Sequence, residues 1–399
     1  MKRQTSTTNQ ATAQGREIML VVGEASGDIH GAGLVDALWK RDPTLKIFGV
    51  AGERLQQTRF ETLFSVSRLT GMGLVELAGN FKNLWQAYRL LRRALRERRP
   101  SLVVLIDFPE FNLRLAKLAR QLALPVLYYV SPQVWAWRRQ RVRQIERWVD
   151  RMAVVFPFEV PFYRQHGVDV SFVGHPLLED IHVNESRETV LGRLSLDPAK
   201  PTIALLPGSR RREVEYHLPV MLQAAARLQR ESAVQFLCVR AATVDRAMIE
   251  TELKRASVRI PIVEDNRYDA VNASDLAWVA SGTATLEAAL LLKPMIVVYR
   301  LAVLTYLIAR WLVKVDHVAM VNLIADKRVV PELIQSEFNA DRLIEESRLL
   351  LNDRERYRSV VDELSRLREK LGSPGAAERV ADLAFSMMQQ KPTLGTENL

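Results

Sequence analysis

With a single cysteine in 399 residues, the chain cannot close an intrachain disulfide, which fits a reducing compartment. That thiol, Cys238, falls inside the apolar run VQFLCVR, the setting of a buried core side chain. The six histidines, at 30, 166, 175, 182, 217 and 317, form no ligand set, and HExxH, HxxEH, DxD and CxxC arrangements are absent. Nothing therefore calls for a metal or another cofactor. No run reaches the ~18 uninterrupted apolar residues of a membrane-spanning helix. The opening MKRQTSTTNQATAQGR lacks an apolar core segment and reads as a disordered tail over 1–15, not a signal peptide. The phosphate-loop pattern GxxxxGK[ST] is missing. The GxGxxG spacing is missing too, although GEASGDIHGAGL carries glycines at 23, 27, 31 and 33.

A hydrophobic fraction of 48% and a charged fraction of 26% mark a folded chain, long enough for two full cores. The net charge of +10 points to an anionic partner: nucleic acid, an acidic membrane surface or a phosphorylated substrate. The runs REIMLVVG, LKIFGVAG, SLVVLIDF and LPVLYYVS alternate with amphipathic segments. A second series follows, PTIALLPGS, VQFLCV, RIPIVE, DLAWVAS and KPMIVVYR. Continuous apolar strands spaced by helices predict parallel sheets covered on both faces. The fold class is α/β, with two doubly wound halves joined near VGHPLLEDIHVNES. In such sheets ligands bind beyond the carboxyl ends of the strands. The loops with unusual chemistry (GEASGD, DFPEFN, SPQVWAW, PGSRRRE and SGTATLE) all fall there, as expected of a two-substrate transferase with one cleft.

In LLPGSRRREVEYHLP, Gly208 and Ser209 allow a tight strand-to-helix turn whose N–H groups can cradle phosphate oxygens, with Arg210 adding a fork of donors. Cations at a helix N-terminus are unfavourable unless an anion sits nearby. Arg211 and Arg212 are expected to splay outward toward Glu213 and Glu215; a merely solvated helix start is the plainer alternative. In SGTATLE, Ser281, Gly282 and Thr283 stand at a second such turn, where the hydroxyls either cap the helix or bind phosphate, and Glu287 follows one turn later. In LIDFPEFN, Asp107 closes a buried strand, with Glu110 and Asn112 in the turn after it. Asp107 is either a helix cap ahead of Pro109 or a general base aimed into the cleft. In GEASGDIH, Glu24, Ser26, Asp28 and His30 are expected at the cleft mouth, with Gly31 and Gly33 letting helix approach sheet. Residues 74–99 set Leu77, Phe81, Leu84, Trp85, Tyr88 and Leu91 at helical spacing beside seven cations, which suits either an interfacial helix or core packing. YRLAVLTYLIARWLVKV, at 299–315, suits a buried or lipid-touching helix. The tryptophans and arginines of 131–148 could stack on RNA, but no nucleic-acid-binding signature accompanies them, and no nucleic-acid partner is expected.

Seven stretches in order over about 16–385 resemble the lipid-A-disaccharide synthases, glycosyltransferase family 19: GEASGDIHGAGL, GMGLVE, YYVSPQVWAWRRQRV, FVGHPL, LLPGSR, SGTATLE and HVAMVNLIADKRVVPELIQ. The resemblance implies a GT-B architecture, two Rossmann-like domains with the active site between them. The expected domains are 16–180 on the acceptor side and 181–352 binding the UDP-sugar. Helices over 353–388 would return to an N-terminal domain, ahead of a tail at 389–399. It implies a metal-independent, inverting transfer from UDP-2,3-diacylglucosamine to 2,3-diacylglucosamine 1-phosphate (lipid X), giving the β-1,6-linked disaccharide 1-phosphate and UDP. It also implies cytoplasmic, peripheral work at the anionic inner membrane of Gram-negative bacteria, and a homodimer is an open expectation. By the same resemblance Arg210, with Gly208 and Ser209, meets the diphosphate. Ser281, Gly282, Thr283 and Glu287 hold phosphate and ribose, and Asn322 belongs to the UDP site. Glu24, Ser26 and Asp28 line the acceptor side, and Asp107 and Glu110 match an acidic pair that includes the base. The second acid is Glu here where the family pattern has Asp, which leaves the choice between them open. The alternatives are another UDP-sugar-dependent GT-B enzyme and a UDP-GlcNAc 2-epimerase.

Overall fold

The computed structural model describes residues 16–69, 77–135, 139–302 and 317–389. GMGLVE, Trp137 and Arg138, most of the 299–315 stretch and nearly all of both tails lie outside the described residues. The apolar runs become two all-parallel sheets. In the first, β1 (Glu17–Val22), β2 (Lys46–Ala51), β3 (Glu61–Ser65), β4 (Leu102–Ile106), β5 (Val126–Tyr129), β6 (Arg151–Val154) and β7 (Val170–Phe172) lie in the order β3-β2-β1-β4-β5-β6-β7. In the second, β8 (Thr202–Leu206), β9 (Gln235–Val239), β10 (Ile262–Val263), β11 (Leu276–Ala280), β12 (Met295–Tyr299) and β13 (Glu332–Ile334) lie in the order β10-β9-β8-β11-β12-β13. Each sheet winds outward from its first strand and then reverses. That leaves a switch point between β1 and β4 and another between β8 and β11, where the loops diverge and open a crevice. The central strands β4, β8 and β11 are buried along their whole length, so side chains from both faces must be apolar, as the continuous runs require.

Two crossings join the halves. Residues 173–180 lead out of β7, and 371–376 bring the chain back. They are tied to each other: the His175 amide donates to Leu371 O at 3.0 Å, and Glu179 accepts from the amides of Gly375 and Ala376 at 2.8 and 2.7 Å. The return differs from the expected division at 352. The helix Arg354–Lys370 stays on the second half, packed on the helices Thr283–Leu290 and Met320–Ala325 through Val360, Leu364 and Leu367. Only the helix Ala376–Gln389 reaches the first half, where it lies on the helix Ala25–Arg41. There Arg41 holds Asp382 at 2.7 Å, and Gly33 faces Ala377, leaving room for this helix. Gly31 alone does the job expected of both, since a Cβ there would meet Val22 at 3.0 Å.

Across the crevice, Asp180 lies in the field of Arg54, which follows β2, and of Arg267, which follows β10. The loops that follow β2 and β10 therefore both approach the crossing at Asp180.

Candidate active site

The turn after β8 is built by Gly208, Ser209 and Arg210. Gly208 has φ +134, a conformation costly for any other residue, and an added Cβ would stand 2.6 Å from Glu213 Cβ. That space lets Glu213 fold back from the first turn of the helix Arg211–Glu231. Its Oε2 accepts from the amides of Ser209 and Arg210 at 3.0 and 3.2 Å, and Oε1 stands 3.6 Å from the Arg210 guanidinium. The amides expected to be open to a phosphate thus already hold an anion, the chain's own carboxylate. Arg211 turns outward to Glu215 at 2.9 Å, as expected, but Glu213 serves the turn and not the outer arginines. Arg210 is 73% exposed, its guanidinium directed into solvent beside Tyr299, whose hydroxyl feels both Arg210 and Glu213. An exposed guanidinium next to main-chain donors, held only weakly by Glu213, can bind an incoming anion.

The turn after β11 lies across the same switch point. Gly282 is the N-cap of the helix Thr283–Leu290, and no side chain caps it. Of the two roles open to the hydroxyls, capping is not the one taken: Ser281 Oγ donates to Val318 O at 3.2 Å, and Thr283 is exposed. Among the described residues nothing lies within 4 Å of a Cβ placed on Gly282, which leaves that side of the turn uncovered by them. Glu287, one turn in, is mostly covered and accepts from Arg267 at 2.9 Å. Burial raises its pKa, and Arg267 partly offsets that. Arg267 and Tyr268 carried no pattern in the sequence; they come to Glu287 only through the fold.

On the first sheet, β4 ends in two consecutive left-handed residues, Asp107 at φ +48 and Phe108 at φ +50. Such conformations cost of order 1–3 kcal/mol each and persist only where the surroundings impose them. Here the Asp107 carbonyl is gripped by Tyr128 Oη at 2.5 Å and Asn112 Nδ2 at 2.7 Å. Phe108 packs over Gly23, where a Cβ would sit 2.2 Å from its ring. Phe108 is the N-cap of the helix Pro109–Gln121, which no side chain caps, so capping is not the role of Asp107. Burial pushes the Asp107 carboxyl up to about 6, with the negative charges of Glu24 and Glu110 adding to the shift. Glu110 is instead 52% exposed and ion-paired with Arg141 at 2.6 Å. The two acids expected as a pair are therefore unlike: one desolvated, one solvated and bonded to a cation.

Glu24 and Ser26 are exposed at the end of β1, close enough for Glu24 to perturb Asp107. Asp28 is not with them. It is buried, its carboxylate accepting from the amides of Gly52 and Arg54, both at 2.8 Å, which fixes the start of the helix Glu53–Gln56. His30 also points inward beside Tyr129, ring centroids 6.2 Å apart, and burial pushes its pKa down to about 4. Asn322 is buried with both ends bonded: Oδ1 accepts from the amides of Val329 and Val330, and Nδ2 donates to Val330 O and to Glu332 Oε1. Glu332 accepts in turn from the amides of Val318 and Ala319, so Asn322 reaches Ser281 through those residues and not by its own side chain.

Of the basic stretch at 77–98, Leu91 and Leu95 are core, and Leu84 and Tyr88 pack against it, as the core alternative required. Trp85 is 54% exposed, with Arg89 stacked over its ring at 4.5 Å, while Lys82, Arg92, Arg93 and Arg96 are exposed around it. Trp135 is buried and donates to Glu159, which removes it from any stacking surface. No helix among the described residues is long and apolar enough to cross a membrane.

Two switch-point crevices, one carrying a guanidinium and hydroxyl-bearing turns and the other a desolvated carboxyl, suit group transfer from a phosphorylated donor. Comparisons agree with that arrangement. Residues 18–384 match the family model described as lipid-A-disaccharide synthetase. The chain is 45% identical to the lipid-A-disaccharide synthase of Syntrophus aciditrophicus over 94% of this chain and 98% of that one, and 43% identical to that of Geobacter metallireducens over 95% and 99%. Among solved structures it resembles the UDP-GlcNAc 2-epimerase of Neisseria meningitidis bound to UDP-GlcNAc, with a TM-score of 0.64 at 13% identity over 93% and 100% of the two chains. It also resembles the calicheamicin glycosyltransferase CalG4, at 0.61 and 14% over 94% and 98%. These likenesses carry the fold, which is GT-B. With a family model spanning nearly the whole chain and relatives above 40% identity, the chain belongs to the lipid-A-disaccharide synthase family of glycosyltransferases.

Proposed function

We propose that the cleft transfers a 2,3-diacylglucosamine unit from its UDP derivative to the 6-hydroxyl of 2,3-diacylglucosamine 1-phosphate (lipid X), with inversion, releasing UDP. The observation that carries this is the desolvated Asp107 standing at one switch point while Arg210 and the Ser281–Thr283 turn stand at the other.

The donor's diphosphate lies between Arg210, the Gly208–Ser209 turn and the Ser281–Gly282–Thr283 turn, and Glu287 takes the ribose hydroxyls. Glu213 yields its bonds to Ser209 and Arg210 as the diphosphate arrives. The acceptor enters past Glu24 and Ser26. Its O6 attacks C1 from the face opposite UDP and gives its proton to the Asp107 carboxylate. The C1–O bond breaks and the electron pair leaves with UDP. Charge then grows on the diphosphate, where fixed N–H donors stabilise it without reorganising. Asp107 is the better base of the two acids, since a pKa raised toward neutrality accepts a proton more readily than a solvated, Arg-paired carboxylate. Asp28 and Asn322 act by holding backbone.

This reading uses Arg210 and backbone dipoles for the leaving group and needs no divalent ion. Trp85 and its surrounding cations suit contact with an anionic bilayer, from which both acylated substrates come. The test is to incubate the purified protein with both lipids in EDTA and follow UDP and disaccharide 1-phosphate by mass spectrometry. Equimolar appearance of both supports the reading. Absence of both products in EDTA with recovery only on adding excess magnesium, or epimerisation of separately supplied UDP-GlcNAc by a protein that makes no disaccharide, overturns it.

A further inference from the structure

His217 stands on the buried stripe of the helix Arg211–Glu231, in line with Val214, Leu218 and Met221, and is itself completely buried. An imidazole at such a position loses its hydration, a penalty avoided only when both ring nitrogens are bonded. Both are. Nδ1 lies 2.9 Å from Pro207 O, the carbonyl immediately before Gly208, and Nε2 lies 3.0 Å from the amide of Arg300, the residue immediately after β12. An amide can only donate and a carbonyl can only accept, so one tautomer fits: Nδ1 carries the proton and Nε2 accepts. Burial lowers the His217 pKa, in keeping with a ring that stays neutral. The aromatic rings of Tyr299 and Phe338 flank it, centroids 6.0 and 5.7 Å away. The Arg300 guanidinium donates onward to Gln335 O, at 3.2 Å, and to Phe338 O.

We propose that His217 is a positioning residue for the nucleotide diphosphate: its two nitrogens clamp the turn at Gly208–Arg210 to the end of β12 and so fix where the turn's donors point. The inference rests on the reading of that turn as the diphosphate site. A leucine would fill the space and keep the apolar stripe. It would also release the Pro207 carbonyl and strand the Arg300 amide, letting the turn drift from the strand it faces. Because the turn meets only the donor's phosphates, the loss falls on UDP and UDP-sugar binding, not on the acceptor.

The experiment compares wild type with H217L and H217N, measuring melting temperature, the Kd for UDP by calorimetry, and KM for each substrate. Two hydrogen bonds of ordinary net strength correspond to a weakening of UDP binding by roughly tenfold to thirtyfold in H217L. The donor KM rises in parallel and the acceptor KM stays within about twofold. In H217N the amide nitrogen stands where Nδ1 does and bonds Pro207 O again. With the Arg300 bond still missing, it recovers part of the UDP affinity, binding between H217L and wild type, and its melting temperature is lowered. A role confined to core packing would lower the melting temperature of both variants and leave UDP affinity alone. If wild type binds UDP and H217L binds it within twofold, or folded H217N binds no better than H217L, this inference is overturned by itself. If wild type binds no UDP, the diphosphate reading falls and the inference with it.

Discussion

Replacing Asp107 by Asn should make the protein more stable and nearly inactive at once. The carboxyl stands at an ordinary 3.8 in the unfolded chain and about 6 in the folded one, chiefly because it is buried. A raised folded pKa means that the folded state binds the proton more tightly. Below pH 3.8 the group is neutral in both states and contributes no penalty. Between 3.8 and about 6 the unfolded state ionises first, and stability falls as pH rises through that window. Above it the full penalty applies: about two pKa units, or about 3 kcal/mol. Asn is neutral and almost isosteric, so D107N should gain up to about 3 kcal/mol at pH 7.5 and nothing at pH 3.5. For activity, loss of a general base costs about 10²–10⁴-fold. Wild-type turnover should fall roughly tenfold from pH 7 to pH 5 as the carboxylate is protonated. Denaturant titrations at the two pH values, with initial rates of UDP release across pH 4.5 to 8.5, measure all three quantities. Folded D107N that retains a tenth of wild-type turnover would refute Asp107 as the base. A variant no more stable at pH 7.5 than wild type would refute the desolvation on which the raised pKa depends.

Other outcomes follow from the same geometry. Glu110→Gln removes the charge of a carboxylate that is half exposed and paired with a mostly covered Arg141, and Gln can still accept from that guanidinium, so stability should fall by no more than about 1 kcal/mol. Turnover should stay within about tenfold and the acid limb near pH 6; a thousandfold loss would transfer the base to Glu110. Arg210→Ala removes an exposed donor whose ion pair with Glu213, at 3.6 Å, is weak, so melting should be unchanged while turnover drops by at least about 100-fold. Near-normal rates from the folded variant would exclude Arg210 from leaving-group stabilisation. Trp85→Ser combined with Arg92→Gln should lower co-sedimentation with anionic phosphatidylglycerol vesicles without altering UDP affinity; unchanged sedimentation would move the membrane surface elsewhere.

Much of the fold could be read from one physical pattern. A strand buried on both faces must be apolar throughout, so β1, β2, β4, β5 and the central strands of the second sheet stand out as continuous runs. The edges did not. β3 is ETLFS, β7 is VSF and β13 is ELI, with only partial burial, and such short mixed runs do not differ from loop. β6, RMAV, was hidden by brevity and an exposed-side arginine. The site was legible to the extent that its chemistry sits at strand ends: Asp107, Gly208–Arg210 and Ser281–Thr283 were located by the loop they occupy. What a polar residue does within such a loop was not legible. Asp28 and Asn322 share their stretches with exposed neighbours, yet they face inward and bond backbone, because the local turn rotates them away from the cleft. Glu213 had been matched with the outer arginines by spacing along the helix, and the positive φ of Gly208 brings it back onto the turn instead. The contacts of Arg267 with Glu287 and of His217 with Arg300 join residues 20 and 83 apart in sequence, and only the folded sheet creates them.

At the centre is the claim that a pyrophosphate sits between the turn after β8 and the turn after β11 while the acid of the opposite sheet faces the acceptor. A crystal structure of the protein soaked with UDP measures this most directly. The expected map has the β-phosphate within hydrogen-bonding distance of the Arg210 guanidinium and the Ser281–Thr283 turn, the ribose on Glu287, and Glu213 swung off the Ser209 amide. Diphosphate density at any other place, with Glu213 still bonded to Ser209, would contradict it.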